Sequence, residues 1–561
     1  MSSPPRHLRS SSNRRLPAIT VSHAAAYPRR QHSRHKAVPM PILPRRAALG
    51  LAAAAALPRI AIAQADRRPV VTVAVQNMST SNTLEMLREQ SNVGTRIFRS
   101  YVEPLIDTDW IGDMSMIPGL ATAWRRIDDQ TLEFELREGV TFHNGDPFTA
   151  EEVVFSFGPE RMWGGGAREV PTPSIANARR AFPGFDRIEI LAPHRIRVVS
   201  KVPDIVLEGR MARSLAVIAN RRAFMAAGSW MEWARKPIGT GPYRIADFRP
   251  DQSLVMEPHD AHWQGRPPIR QLRFNEVPEP SSRINMLLSG AADFATEIPP
   301  DQISQIERDR RFEVVGGPIN NSRYLVFNKS HPSLANPLVR RAMSHSIDRE
   351  AIIAALWAGR TSVPRGLQWE FYGEMYLRDI EAPRFDPAEA RRLLREAGYR
   401  GQPIPYRCLN NYYTNQTPTA QIMLEGWRGI GLNVDLQMVE NWSQITGGAP
   451  ETRGVHDWSA SAVVPDPSIQ MSASWGRTGQ PWLANQWRNE EFGTLAAELE
   501  TSMDQPRRIA VWRRMLEIVE REDPGYVVLH RNAAFVAKRR DIAWRASQSF
   551  FMDFRGSNWT A

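Results

Sequence analysis

The side chains able to do chemistry fall into catalytic or metal-binding candidates and candidates for holding a small molecule. The first group fails on spacing. Glu257, His259, Asp260 and His262 are the densest set of potential metal ligands, but they lack the His-Glu-x-x-His helical pattern and Pro258 lies among them, so no metal site is expected. Gly239-Thr240-Gly241-Pro242 could turn backbone N–H groups toward a phosphate, yet neither a G-x-G-x-x-G spacing nor a following Lys-Ser/Thr accompanies it. Positive φ at the two glycines is the expected use of that loop. Ser33 and Lys36 form a Ser-x-x-Lys pair in the basic N-terminal region, where acylation chemistry is not credible, and no Gly-x-Ser-x-Gly elbow occurs. Cys408, the one cysteine, can neither close an intramolecular disulfide nor build a thiolate cluster. No catalytic residue and no cofactor are therefore assigned, and the chain is not expected to be an enzyme.

The second group is richer. Trp427, Trp442, Trp458, Trp475, Trp482 and Trp487 crowd one stretch of the chain. Each offers a broad apolar face with one donor, suited to ring systems, sugars or peptide side chains in a cleft, although core packing is the usual fate of any single tryptophan. Trp475, in a glycine-containing segment, is the one assigned to a ligand. Asn411, Tyr412 and Tyr413 follow a strand expected around 407–409, where polar and aromatic side chains can face a pocket. Asp466 lies in Val463-Val464-Pro465-Asp466-Pro467. Its carboxylate suits a charge-assisted hydrogen bond, and Pro-Asp-Pro is equally ordinary turn chemistry.

These residues need a sizeable scaffold, and 561 residues with 42% hydrophobic and 23% charged side chains supply one, which excludes global disorder. The formal charge of +11 suggests a polyanion partner until it is located. Arg6, Arg9, Arg14, Arg15, Arg29, Arg30, Arg34, Lys36, Arg45, Arg46 and Arg59 precede the first acid, Asp66, and the rest of the chain is formally neutral. Nucleic acid is thus not an expected partner. Arg45-Arg46, an apolar run from Ala47 to Leu57, and the small-x-small patterns Ala61-Ile62-Ala63 and Ala63-Gln64-Ala65 form an export signal, too short to span a bilayer. The arginine pair favours the twin-arginine route over the general secretory one, although Pro44 and Ala48 flank it in place of the usual serine and phenylalanine. Met40 is the expected start of a compact signal.

Beyond Asp66 the periodicity is mixed. Val70 to Val75, Thr131 to Leu136, Arg323 to Phe327, Val434 to Val439 and Tyr526 to Leu529 have strand character. Helices are expected from Glu151 after Thr149, over Val339 to Leu356, Pro387 to Ala397, Ala420 to Gly429 and Gln505 to Glu522. Interleaved helices and short strands predict α/β lobes.

Four separated stretches then carry a resemblance. LEFELREGVTFHNGDPFTAEEV, from Leu132 to Val153, follows the pattern LR.GV.FHDG.PFTAEDV with Asn144 in place of aspartate. Pro237-Ile238-Gly239-Thr240-Gly241-Pro242-Tyr243, the stretch from Val339 to Arg349, and Phe385-Asp386-Pro387 through Ala397-Gly398-Tyr399 follow in order. Together they resemble the family 5 extracytoplasmic solute-binding proteins of ABC transporters, the group of dipeptide, oligopeptide and nickel receptors. Thr83-Leu84-Glu85-Met86 stands where the family has T-L-D-P and departs from it at both last residues, so the proline bend is not carried over.

The resemblance implies an α/β fold of the periplasmic-binding-protein type II, with two lobes around a cleft and an additional inserted domain. Mapped on the motifs, residues 66–110, 241–322 and 528–561 form lobe I, 111–240 the inserted domain, and 323–527 lobe II. It implies a periplasmic monomer that captures a small solute, foremost a short peptide, and hands it to an ABC permease. In that setting Asp466 would hold the ligand's α-ammonium group. Nickel chelates, opines and oligosaccharides stay open as ligands, and the rival classes are a secreted hydrolase or metalloprotein and a chaperone-like binder of unfolded peptide.

Overall fold

Two long antiparallel strands, Phe312–Phe327 and Tyr526–Arg539, run through the middle of a ten-stranded sheet in a computed structural model that describes residues 66–560 apart from residue 411. On one side of this pair the sheet continues through Val455–Ser461, Ile404–Leu409 and Val434–Val439. On the other it continues through Phe294–Ala295, Val70–Val75, Gln271–Glu276, Ser253–Pro258 and Tyr243–Arg249. The crossing strands thus belong to both halves of the molecule.

Each half is built on parallel pairs, which require crossover helices. Val70–Val75, β-branched and buried, pairs parallel with Gln271–Glu276 and Phe294–Ala295, and helix Pro280–Leu288 makes the crossover between those two partners. Ile404–Leu409 pairs parallel with Val434–Val439 through helix Gln416–Gly429.

The long strands change character midway. Their register slips between Pro318 and Ser322, just after Gly316, whose φ of 101° puts it in the left-handed region. A Cβ at Gly316 would clash with the Ala534 carbonyl, so only glycine fits, and the break in pairing offers a natural bending point between the halves.

A separate four-stranded antiparallel sheet runs in the order Ala121–Asp128, Thr131–Leu136, Arg195–Ser200, Phe185–Ala192. Leu132, Phe134 and Leu136 alternate inward, as do Ile196 and Val198, and they share one core with Phe155 and Trp233. That core is distinct from those of the two halves.

Two local expectations need correction. The stretch from Val339 is two helices, Pro337–His345 and Arg349–Trp357, because the Asp348 side chain accepts from the Ala351 N–H and starts the second. The Gly239 and Gly241 pair is not there for positive φ. A Cβ on either would clash with the Tyr101 backbone, so the glycines permit two chain segments to touch.

Candidate functional site

A cavity of about 260 Å³ lies where the three cores meet. Its walls come from the first half (Asn92, Trp110), from the four-stranded domain (Arg180, Arg213) and from the second half (Trp458, Trp475), with the C-terminal residues 549–551 closing one side. No helix, strand or sheet supplies it alone.

The halves are in contact around it. Asn92 Nδ2 donates to Ser459 Oγ at 3.0 Å, and Thr414 Oγ1 donates to Glu297, which also pairs with buried Arg96. From the four-stranded domain, Arg210 approaches Glu500 at 3.8 Å while bonding Asp204 at 2.7 Å. Gly209 packs so tightly on Val464 that a Cβ would sit 2.5 Å from its Cγ1. These contacts join both halves and the four-stranded domain around the cavity.

The aromatic residues form a connected series. The Tyr413 and Tyr412 rings lie 4.7 Å apart, Tyr412 is 5.2 Å from Trp442, and Trp442 is 5.4 Å from Trp458, which reaches the cavity wall. Tyr413 donates its hydroxyl to Ser459. Both tyrosines are held in the neutral phenol form, their pKa raised by burial, and they line a smaller adjoining recess that shares Asn92 and Phe550 with the main cavity. Trp475 lines the cavity but is almost wholly buried against Tyr324, Tyr526 and Trp487. Asn411 lies outside the described residues, as do Arg45, Arg46, Ala61 and Ala63.

Asp466 is a correction. It does not line the cavity. Its carboxylate caps helix Pro467–Trp475 by accepting from the Ser468 N–H at 2.8 Å, and it receives both terminal nitrogens of fully buried Arg508 at 2.8 to 3.2 Å. A carboxylate engaged by a helix terminus and a buried guanidinium, away from the cavity wall, is placed to hold the fold rather than an ammonium group.

The residues set aside as a metal site each have other partners: Glu257 bonds Arg244, Asp260 bonds Arg68 and Arg266, His259 contacts Thr141, and His262 contacts Glu103. Among the described residues no three His, Cys, Asp or Glu side chains are grouped to hold a metal ion.

Several residues that matter here carry no recognisable motif. Buried Arg323 pairs with Asp457 at 2.8 Å, and Asp457 also accepts from Tyr406 and Gln416, pinning the strands beneath the cavity. Glu85 binds Arg161 and Trp233 Nε1, which ties the N-terminal segment to the four-stranded domain without the absent proline. Arg180 and Arg213, on helix Thr172–Ala181 and just after helix Leu207–Met211, face the cavity. Burial lowers both pKa values, Arg213 to about 9, with Arg180 and Arg210 adding repulsion there.

Comparison with known proteins agrees with this architecture. Residues 115–482 match the profile of the bacterial extracellular solute-binding proteins, family 5 Middle. The chain is 26% identical to heme-binding protein A of Haemophilus influenzae, covering 75% of this chain and 80% of that one. It is 24% identical to the dipeptide-binding protein of Escherichia coli, covering 77% and 84%. Its structure superposes on the ABC-transporter-associated periplasmic binding protein DppA of Helicobacter pylori, solved with the peptide STSA, with a TM-score of 0.76 at 20% identity, over 86% of this chain and 97% of that one. The fold is that of type II periplasmic binding proteins, two lobes with an additional domain.

Proposed function

From the premise that the chain belongs to the family 5 bacterial extracellular solute-binding proteins, we propose that it is the receptor of an ABC importer and takes up a small solute, foremost a short peptide or a compound of similar size. The observation that carries this reading is the cavity of about 260 Å³ walled by both halves and the four-stranded domain. Its size, near the lower end of small-molecule sites, suits a small solute better than an extended oligopeptide. A peptide is favoured by the dipeptide-binding relative and by the peptide in the H. pylori structure.

In this mechanism the solute enters an open form and touches Trp458 and the serine-rich strand Val455–Ser461. Contacts such as Asn92 to Ser459 then form only when the lobes meet, so binding shifts the population toward the closed form that a permease recognises. Bending falls at the register slip after Gly316. The solute leaves chemically unchanged. The lobe limits 66–110 with 241–322 and 528–561, 111–240 and 323–527 belong to this proposal, as do monomeric action, periplasmic location and export through Arg45-Arg46.

The test is a thermal-shift panel of dipeptides, longer peptides, nickel with histidine, opines and oligosaccharides. A ligand at one hundred times its dissociation constant stabilises the folded state by about 2.7 kcal/mol. A saturable shift with one solute class, lost in Trp458→Ala, supports the receptor reading. Turnover of the bound compound opposes it.

A further inference from the structure

The fully buried arginines of this protein are each compensated by an acceptor, and two half-buried ones in the cavity wall are not matched to a carboxylate. Arg96, Arg161, Arg210, Arg323, Arg340 and Arg508 each face a carboxylate. Arg283 and Arg349 instead donate to several backbone carbonyls. These arrangements are what a desolvated guanidinium requires, because an uncompensated buried charge is costly.

Arg213 has neither. It is half-buried in the cavity wall, and among the described residues no carboxylate pairs with it and no acceptor meets its guanidinium. Arg180, on the same wall, has one neutral partner, Asn177 Oδ1 at 2.7 Å, and no carboxylate. The two repel each other, and Arg210 adds to the positive field at Arg213. No aspartate or glutamate lines the cavity to offset them. Three acids of the surrounding elements are already engaged: Asp204 by Arg210, Glu297 by Arg96, and Asp466 by Arg508. The same cavity is lined by Trp110, Trp458 and Phe551, apolar surface with no charge of its own.

We infer that the solute is an anion whose carboxylate or phosphate oxygens are received by Arg180 and Arg213, while its apolar body lies against Trp110, Trp458 and Phe551. The inference rests on the receptor reading and reverses the polarity first expected of the site, since no free carboxylate awaits an ammonium group. A guanidinium presents its N–H groups as a fork that matches carboxylate and phosphate oxygens, and two of them in a low-dielectric cavity favour a charged group over a neutral isostere. For a peptide, the recognised end is then the C-terminal carboxylate.

Four probes decide it by thermal shift and titration calorimetry on the purified protein: N-acetyl-leucyl-phenylalanine, its C-terminal amide, leucyl-phenylalanine amide with a free amine, and phenyl phosphate. The acid is expected to bind and both amides to fail. Arg213→Gln and Arg180→Gln should each weaken the acid by at least about tenfold, the scale of losing one partner of a desolvated charge pair. The double variant should bind none, yet unfold in the absence of probe no earlier than the wild type, because it removes mutual repulsion. A purely structural role for the arginines would instead lower that midpoint. Binding of phenyl phosphate in place of the acid assigns the oxyanion as phosphate and keeps the inference. Binding of either amide as tightly as the acid, or of the acid by the double variant, overturns it. If such binding still disappears in Trp458→Ala, the receptor reading survives that failure. Silence with both anions also overturns the inference, and silence with all four together with the wider panel would remove the receptor reading too.

Discussion

Replacing Asp466 by alanine separates a structural carboxylate from a ligand anchor. The side chain does two things: it caps helix Pro467–Trp475 through the Ser468 N–H, and it neutralises Arg508, whose side chain is fully buried. Losing an N-cap costs about 0.5 to 2 kcal/mol. Leaving a buried partner charge unpaired costs about 3 to 5 kcal/mol, most of it the desolvation of the stranded guanidinium. Asp466→Ala should therefore cost about 4 to 6 kcal/mol, taking partial overlap of the two effects. For a cooperative unit of roughly 500 residues the unfolding entropy is about 1 kcal/mol per kelvin, so the midpoint should fall by about 4 to 6 °C. Asp466→Asn keeps a capping oxygen and should fall by less. Arg508→Met in the Asp466→Ala background should recover part of the loss, giving a coupling energy of at least about 1 kcal/mol in a double-mutant cycle. Differential scanning calorimetry of the wild type, both Asp466 variants, Arg508→Met and the double variant supplies every number. A midpoint unmoved by Asp466→Ala, or a coupling near zero, would refute the assignment. Retained stability with loss of an amine-bearing solute would restore Asp466 as its anchor.

The remaining predictions concern closure, pH and the thiol. Burial, opposed by Arg210, raises the Glu500 pKa from 4.5 to about 7, so the folded form holds its proton where the unfolded chain has released it. The associated stability is present below about pH 4.5 and is lost as pH rises through about 7. Glu500→Gln should accordingly raise the midpoint at pH 8 and leave it unchanged at pH 4.5, with an upper bound of about 3 kcal/mol from the size of the shift. Gly209→Ala places a Cβ 2.5 Å from Val464 Cγ1, while alanine in a helix is locally favourable. It should weaken solute binding and enlarge the solute-saturated radius of gyration in small-angle scattering, without lowering the unfolding midpoint. Cys408 is buried and its thiol pKa is raised by burial and by neighbouring Asp457. It should resist a disulfide reagent at pH 8 in the native protein and react at once in denaturant.

How much of this was legible in the sequence depended on how local the cause was. Val70–Val75 and Thr131–Leu136 emerge as strands at their expected bounds because β-branched content and period-two alternation act within the segment itself. Phe312–Phe327 was legible only from Arg323 onward: its first half alternates weakly and contains Gly316, Gly317 and Pro318, which read as a turn unless the partner strand Tyr526–Arg539 is known. The break at Ser346 within one apolar helical pattern was signalled by Asp348, a capping residue outweighed by the continuing hydrophobic spacing.

At the site, two members of the tryptophan-dense stretch, Trp458 and Trp475, line the cavity. Composition could not divide that cluster into wall and core. The role of Asp466 was hidden because its partner, Arg508, lies 42 residues away on helix Gln505–Glu517. Arg180 and Arg213 were missed for the converse reason: an arginine distinguishes itself here by the absence of a partner, which no spacing encodes. A surplus of unpaired guanidinium in a wall without acids becomes visible only once the chain has folded around it.

The measurement that bears most directly on the receptor reading is native mass spectrometry of the protein after incubation with a peptic casein digest, followed by denaturing release of whatever remains bound. A one-to-one complex with a small compound is expected, absent in Trp458→Ala, whose released mass equals that of a component of the digest before incubation. Protein that stays uncomplexed, or a released mass that is a cleavage product formed during incubation, would contradict it.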